Sequence, residues 1–414
     1  MRGPLFCVLA ACAGWRAEHG SPRGRRAGNA ARVQCLPRCS SADSQDDDWL
    51  GSEALSILRQ RMDDARESES NRAVASMVVA ASNWREGRCS QRAVASLDVW
   101  VRRIQRVDGV LACGTYTGDV LLVDVEKGEA LDCWEPYGEA GEDEDEMPEI
   151  TALAFDGEHV SSGDSSGAVF FRRRGDAAPA LRGEHAAPVS GVHWDGGELA
   201  YSCALDARLV CYNVSAQTEM ASLSLPAPIL ALSEFEGYAA CGLSDGSVAL
   251  CTLSPMRQLF RFDAHRSSAT AVHLLTSSQL LTGSADGDAC LWRLDEDGGS
   301  ERRRTEFTGH QAPVVCVAGD GEKVVSGARD GTVRVWEAES GKLRFMLQGF
   351  TAYIGSVQIA PTWLLADGTN KEIVLLDFSE GEDGEDHDDD DDGDDGDDDN
   401  GASGPGGGGG GGAG

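Results

Sequence analysis

The sequence predicts an all-β fold: seven short four-stranded units closed into a ring, with a helical segment before them and unstructured tails at both ends. Three observations predict it. Short apolar–polar alternations bounded by Gly and Asp turns recur along residues 91–379, the pattern of antiparallel strands joined by hairpins. A small residue returns at one place in each unit, roughly every 40 residues. Charge is segregated to the ends, Arg-rich over the first forty residues and almost entirely Asp, Glu and Gly over the last thirty-five, which marks both as tails rather than core.

The clearest unit runs from Gly309 to Trp336. It holds a Gly-His pair, an alternating apolar run, a turn at Gly319-Asp320-Gly321, a second run through Val324, Val325 and Ser326, a tight turn at Arg329-Asp330-Gly331, and a third run ending in Trp336. It resembles the WD40 repeat, with Trp336-Glu337 in place of the Trp-Asp pair that names the family. The resemblance implies a seven-bladed WD40 β-propeller. The recurring small residues are Cys113, Ser162, Ser202, Cys241, Thr282, Ser326 and Asp367, and an acidic insert, Glu142 to Glu149, lengthens the first spacing. One such blade cannot bury both its faces, so closure of the ring is what supplies its neighbours.

In the family a His, a Ser or Thr, an Asp and a Trp form a hydrogen-bonded tetrad within a blade. By that resemblance His310, Ser326, Asp330 and Trp336 form one tetrad, and His265, Thr282, Asp286 and Trp292 a second. His185, Ser202, Asp206 and Tyr212 form a third, with Tyr at the aromatic place. A His-Ser-Asp grouping invites comparison with a catalytic triad, but these groups recur at fixed offsets, whereas an active site is needed once. They are read as structural, each pairing polar groups that would be costly to bury alone.

The other four units are degenerate and lack the His. The second has Ser162 and Ser166 but Arg172 at the Trp place; the fourth has Asp245 but Cys241 and Cys251 at the Ser and Trp places. The first carries Cys113, Thr117 and Val123-Asp124, and the last Leu376-Asp377 after a shifted turn. These blades are expected to be softer, held more by apolar packing than by tetrads. The last unit offers only three strands, Gly355 to Ala360, Trp363 to Asp367 and Ile373 to Phe378. The unused run Ala93 to Trp100, within residues 91–100, is expected to supply the fourth and remove an open edge.

Residues 1–46 begin with a short basic start and an apolar stretch from Leu5 to Gly14, with Ala11-Cys12-Ala13 as an A-x-A cleavage pattern, followed by an Arg- and Ala-rich, acid-poor stretch. A signal-like segment followed by a transit-like one resembles the two-part plastid leader of algae with secondary plastids, so a plastid address is expected; cytoplasm or nucleus is the alternative. Residues 47–90 read as helical. Leu50, Ala54, Ile57, Leu58 and Met62 share one face, and a second helix is expected from Arg72 to Trp84. Two helices before such an array resemble an F-box, the adaptor-binding module of some ubiquitin-ligase receptors. Leu55-Ser56-Ile57-Leu58, Ser82-Asn83-Trp84-Arg85 and Val99-Trp100 loosely follow its landmarks, although its leading Leu-Pro is missing and the gaps between landmarks are too long. A helical cap packed on the propeller is the preferred reading.

With 414 residues and 41% hydrophobic content the chain has room for a sizeable core, and its formal net charge of -33 is unevenly distributed. No apolar run reaches the roughly 18 to 20 residues of a membrane span. The 13 cysteines form no C-x-x-C pair. Cys35 and Cys39 lack partners for zinc, and no metal site or cofactor is expected. Cys113, Cys203, Cys211, Cys241, Cys251, Cys290 and Cys316 fall in strand-like runs as small buried hydrophobes, which suits a reducing compartment. Residues 380–414 are expected to be disordered. They read as a solvating tail, as a lure for basic proteins such as histones or ribosomal proteins, or as a weak divalent-ion binder. The acid excess argues against direct contact with nucleic acid.

No phosphate loop or single-copy nucleophile–base pair stands out, so the sequence reads as a non-enzymatic protein-interaction scaffold. In propellers of the resembled family, partners dock on the channel rim, built from the turns before each first strand and between the second and third. Tyr116, Arg266, Gln311, Arg329 and Tyr353 are the expected rim contacts, since aromatic and Arg side chains carry most interface energy. The acidic insert is a second docking candidate. The alternatives are an F-box-like ligase substrate receptor and an acidic-tail binder of basic proteins.

Overall fold

The structure, a computed structural model, describes residues 9–10, 34–37, 69–137, 147–194, 196–294, 303–351, 354–369 and 371–379. Seven antiparallel sheets follow one another along the chain, each a blade of a β-propeller. Blades 1 to 6 span residues 101–134, 150–184, 189–224, 229–263, 269–307 and 314–348. Each is a meander of four strands in chain order. First strands of neighbouring blades contact one another around the ring, so they line its axis and the fourth strands lie outermost. Two short stretches add to blade edges: Leu9–Ala10 pairs with the first strand of blade 5, and Gln34–Pro37 with the fourth strand of blade 6.

The core is a belt of apolar clusters between consecutive blades. Leu111, Cys113, Leu365 and Ile373 join blades 7 and 1, while Val169, Val189, Leu209 and Ile229 run through blades 2 to 4. All are fully or almost fully buried. Close approach explains the small-residue–Gly pairs of the second strands. A Cβ on Gly283 would stand 2.6 Å from Val314 Cγ1 of the next blade, a contact only glycine permits without displacing that blade. The seven small residues aligned by sequence all fall in second strands, from Cys113 in Val110–Thr115 to Asp367 in Trp363–Thr369.

Blade 7 is built from both ends of the propeller sequence. Val357–Ile359, Trp363–Thr369 and Glu372–Asp377 are its first three strands, and Ser90–Ser96 pairs antiparallel with the third as its outer strand. The strand starts and ends earlier than the run Ala93 to Trp100 suggested: it pairs from Ser90 opposite Asp377, passes a bulge at Ala93/Ala95 and ends with Ser96 opposite Glu372. Leu97 N–H then bonds Lys371 O, and Trp100 turns onto the rim, where its carbonyl accepts Tyr116 N–H at 2.8 Å.

A helix from Glu69–Glu86 precedes that strand, starting before and ending after the expected Arg72 to Trp84. It stops at Gly87, which has a φ of 70°, while Arg88 N–H bonds back to Asn83 O; a left-handed glycine is the common way to end a helix. Trp84 is 1% exposed and packs between blades 6 and 7. Its indole N–H donates to Pro361 O at 2.9 Å, and Asn83 Nδ2 donates to Phe378 O at 2.8 Å. The Asn83-Trp84 landmark of the F-box resemblance is therefore spent inside the propeller and presents no face to an adaptor. The first helical face, Leu50 to Met62, the leader before it and the acidic tail lie outside the described residues, Leu9–Ala10 and Gln34–Pro37 excepted.

Candidate functional site

The candidate surface is the rim made by the loops entering each blade and the turns between second and third strands. Hydrogen-bonded polar groups lie beneath it. In blade 6 His310 Nε2 pairs with Ser326 Oγ at 2.8 Å and Nδ1 with Asp330 Oδ2 at 3.0 Å, and Trp336 Nε1–H donates to Ser326 Oγ at 2.9 Å. The same Asp330 oxygen accepts Gln311 N–H at 2.9 Å. One carboxylate thus ties the entering loop to the turn, and Gln311 and Arg329 stand exposed on either side of that tie. Burial holds the His310 imidazole below the usual histidine range, against the pull of Asp330. Burial pushes the Asp330 carboxyl up, but bonds from Thr332 and the Gln311 backbone outweigh it and hold the group low.

Blade 3 repeats the arrangement with a phenol. His185 reaches Asp206 at 2.9 Å and Ser202 at 2.7 Å, and Ser202 Oγ meets Tyr212 Oη at 3.3 Å. Asp206 also accepts Ala186 N–H at 3.1 Å. Blade 5 departs from the expected tetrad. His265 Nε2 pairs with Thr282 Oγ1 at 2.7 Å and Trp292 Nε1–H donates to the same oxygen at 2.9 Å. Asp286 makes no hydrogen bond to His265 among the described residues; its carboxylate caps its own turn through Asp288 N–H at 3.1 Å. The group there is three residues, and the loop carrying the exposed Arg266 lacks the carboxylate tie.

Among the described residues the degenerate blades carry polar ties other than the tetrad. In blade 2 Asp164 is fully buried, accepts Ser166 and Ala168 N–H, and takes the phenol of Tyr137 from the chain ahead of the blade. In blade 4 Arg261 of the outer strand donates to Asp245 Oδ2 at 2.6 Å and to Ser247 Oγ at 2.7 Å. At the Trp place of blade 2, Arg172 pairs with Asp132 at 3.0 Å and lies over Trp134. Blade 7 carries Asp367, whose Oδ1 accepts Gly355 and Ser356 N–H at 2.7 and 3.0 Å. Burial lifts the Asp367 carboxyl to about 7, against the pull of those bonds and of nearby Arg103.

Arg103, 2% exposed, was missed in the sequence although a signal was present. It pairs with Gly114 at a register place that the other meanders fill with Ala152, Gly191, Ala231, Ala271 and Cys316. A long cation among five small residues marks the blade that must reach across to the short first strand of blade 7. Tyr116 is exposed on the rim with the Arg102 guanidinium 5.1 Å from its ring centroid. Tyr353 and most of the acidic insert lie outside the described residues. Among the described residues no group of three His, Cys, Asp or Glu is placed to hold a metal, and no helix is long and apolar enough to cross a membrane.

Seven four-stranded blades, with a full His–Ser–Asp–Trp group in blade 6, its Tyr counterpart in blade 3 and a three-residue group in blade 5, define a propeller of the sequence-repeat type. The profile of the family "WD40: WD domain, G-beta repeat" matches residues 256–293 and 301–337, blade 5 with its approach and blade 6. The chain is a seven-bladed β-propeller whose blades 5 and 6 are WD40 repeats. It is 29% identical over 117 residues to Mitochondrial division protein 1 of Kluyveromyces lactis, covering 26% of this chain and 17% of that protein. It is 24% identical over 170 residues to the Serine-threonine kinase receptor-associated protein of Gallus gallus, covering 40% of this chain and 47% of that one. It is 30% identical over 105 residues to Ribosome biogenesis protein YTM1 of Eremothecium gossypii, covering 23% of each. The chain thus spans less than half the length of these relatives. Among solved structures it is similar to U3-55K, with a TM-score of 0.58 and 17% identity over 69% of this chain and 98% of that one. The RRP9 WD40 repeats give a TM-score of 0.58 and 16% identity over 70% of this chain and 99% of theirs. At that identity the likeness speaks for the fold alone.

Proposed function

We propose that this protein is a non-enzymatic scaffold whose protein partners dock across the rim at Tyr116, Arg266, Gln311 and Arg329. The carrying observation is that Asp330 Oδ2 receives both His310 and the Gln311 backbone, so the surface is set before any partner arrives. Pre-organised loops lose less freedom on binding and so spare affinity. The test is affinity capture with the full chain and with a variant carrying Tyr116→Ala, Arg266→Ala, Gln311→Ala and Arg329→Ala. Loss of stoichiometric partners from the folded variant supports rim docking; an unchanged set of partners sinks it.

A second reading, binding of basic proteins, is favoured by the near-continuous Asp and Glu run from Glu380 to Asp399. Capture of such partners would fall steeply with salt and disappear when residues after Ser379 are removed. For the address of the protein we keep the plastid reading as a proposal. Sequencing of the mature N-terminus and imaging of a C-terminally tagged chain test it: an uncut leader with cytosolic or nuclear signal removes it.

A further inference from the structure

A cavity of about 460 Å³ opens between blades 3 and 4, a size within the range of ligand sites. It is formed by the turns joining the first and second strands of both blades, so it lies on the face opposite the rim. Its apolar walls include the rings of Tyr201, which is 7% exposed, and Tyr238. The His193 ring stands 6.4 Å from that of Tyr201 with the planes 29° apart.

Among the described residues three carboxylates line this space, those of Glu198, Glu234 and Glu236, and no Lys or Arg does. Glu234 is held in place: its Oε1 accepts Gly237 N–H at 2.7 Å, and its Oε2 lies 3.4 Å from His193 Nε2. Glu198 and Glu236 are exposed at the mouth. Aromatic walls, a fixed carboxylate within and two more at the entrance form a cage for a cation. A guanidinium suits it better than an ammonium, because it can lie along a tyrosine face while its fork bonds a carboxylate.

We propose that this cavity takes an arginine side chain of a partner polypeptide, with Glu234 as the bidentate acceptor and Tyr238 as the stacking wall. The site is independent of the rim and gives the scaffold a second docking face selective for a basic residue.

The probe is the peptide Ac-Ala-Arg-Ala-benzoylphenylalanine-amide, photo-crosslinked to the full chain and mapped by mass spectrometry. The expected adducts fall in the turns around Leu199 and Tyr238, and they drop at least ten-fold when citrulline replaces the arginine or in Glu234→Gln. Should Glu234→Gln fail to fold, the exposed double change Glu198→Gln, Glu236→Gln serves instead, with a several-fold drop expected. Equal labelling by the citrulline peptide, labelling undiminished in the folded variant, or adducts confined to residues 380–399 would each overturn the assignment.

Discussion

Trp84 of the helix lies flat on Phe378 just beyond the last strand, with ring centroids 3.8 Å and planes 13° apart. The contact joins the beginning of the propeller sequence to its end, and Lys323 of blade 6 caps the other side of the indole at 4.7 Å. Trp84→Ala should cost about 3 to 5 kcal/mol through lost burial and the cavity left behind. Urea denaturation checks the value. Hydrogen exchange should show blade 7 opening before blades 3 to 6; uniform loss of protection around the ring would refute the clamp.

The difference between blades 5 and 6 makes a quantitative contrast. A double-mutant cycle on His310 and Asp330 should return a coupling of about 1 to 3 kcal/mol, because the pair is bonded and largely buried. The same cycle on His265 and Asp286 should return less than about 0.5 kcal/mol. Equal couplings would mean that Asp286 closes a full tetrad in solution.

Blade 4 offers a test of the replacement for the missing tetrad. Arg261→Ala removes bonds to Asp245 and Ser247 that are partly open to solvent, so a loss of about 1 kcal/mol is expected. Arg261→Lys should recover only part of it, since an ammonium lacks the fork. An Ala variant as stable as the parent would return this blade to apolar packing.

Stability should respond to pH through two opposed sets of groups. Burial lowers the folded-state values of His185, His265 and His310. The unfolded chain therefore takes up protons first, and stability falls as pH drops below about 6.5. Asp367 runs the other way. Its folded value of about 7 lies above the unfolded one, so its contribution is complete below about pH 4 and lost as pH rises to 7. Asp367→Asn should remove that decline and leave stability rising through pH 5 to 6.5. Denaturation midpoints across pH 4 to 8 decide it, and an unaltered profile in the variant would rule Asp367 out.

The blades and their order were legible because the turn chemistry and the recurring small residues are local features repeated at a fixed period. The closing strand was legible because one alternating run had no other home, although it pairs from Ser90 and gives way after Ser96 to the turn through Trp100. What stayed hidden was substitution across elements. Tyr137 donating to Asp164, Arg261 standing in for a His and Arg103 filling blade 7 are contacts between residues that no spacing rule connects. Asp286 failed in the opposite way: it sits at the proper offset, yet its carboxylate serves its own turn. A motif gives the residues, and the backbone between them decides which bonds form.

Blade 7 also sets an order of events during synthesis. Ser90–Ser96 leaves the ribosome before any complete blade, and the strands it must pair with leave after blade 6. Until then the nascent chain is an open arc whose first and last sheets each show an unmatched apolar flank, bounded by Leu111 and Cys113 on one side and Val315 and Val333 on the other. Its sequence-distant closure is the slow kind of contact. Throughout translation the growing molecule therefore presents two sticky ends to its neighbours, and a stalled or truncated chain keeps them.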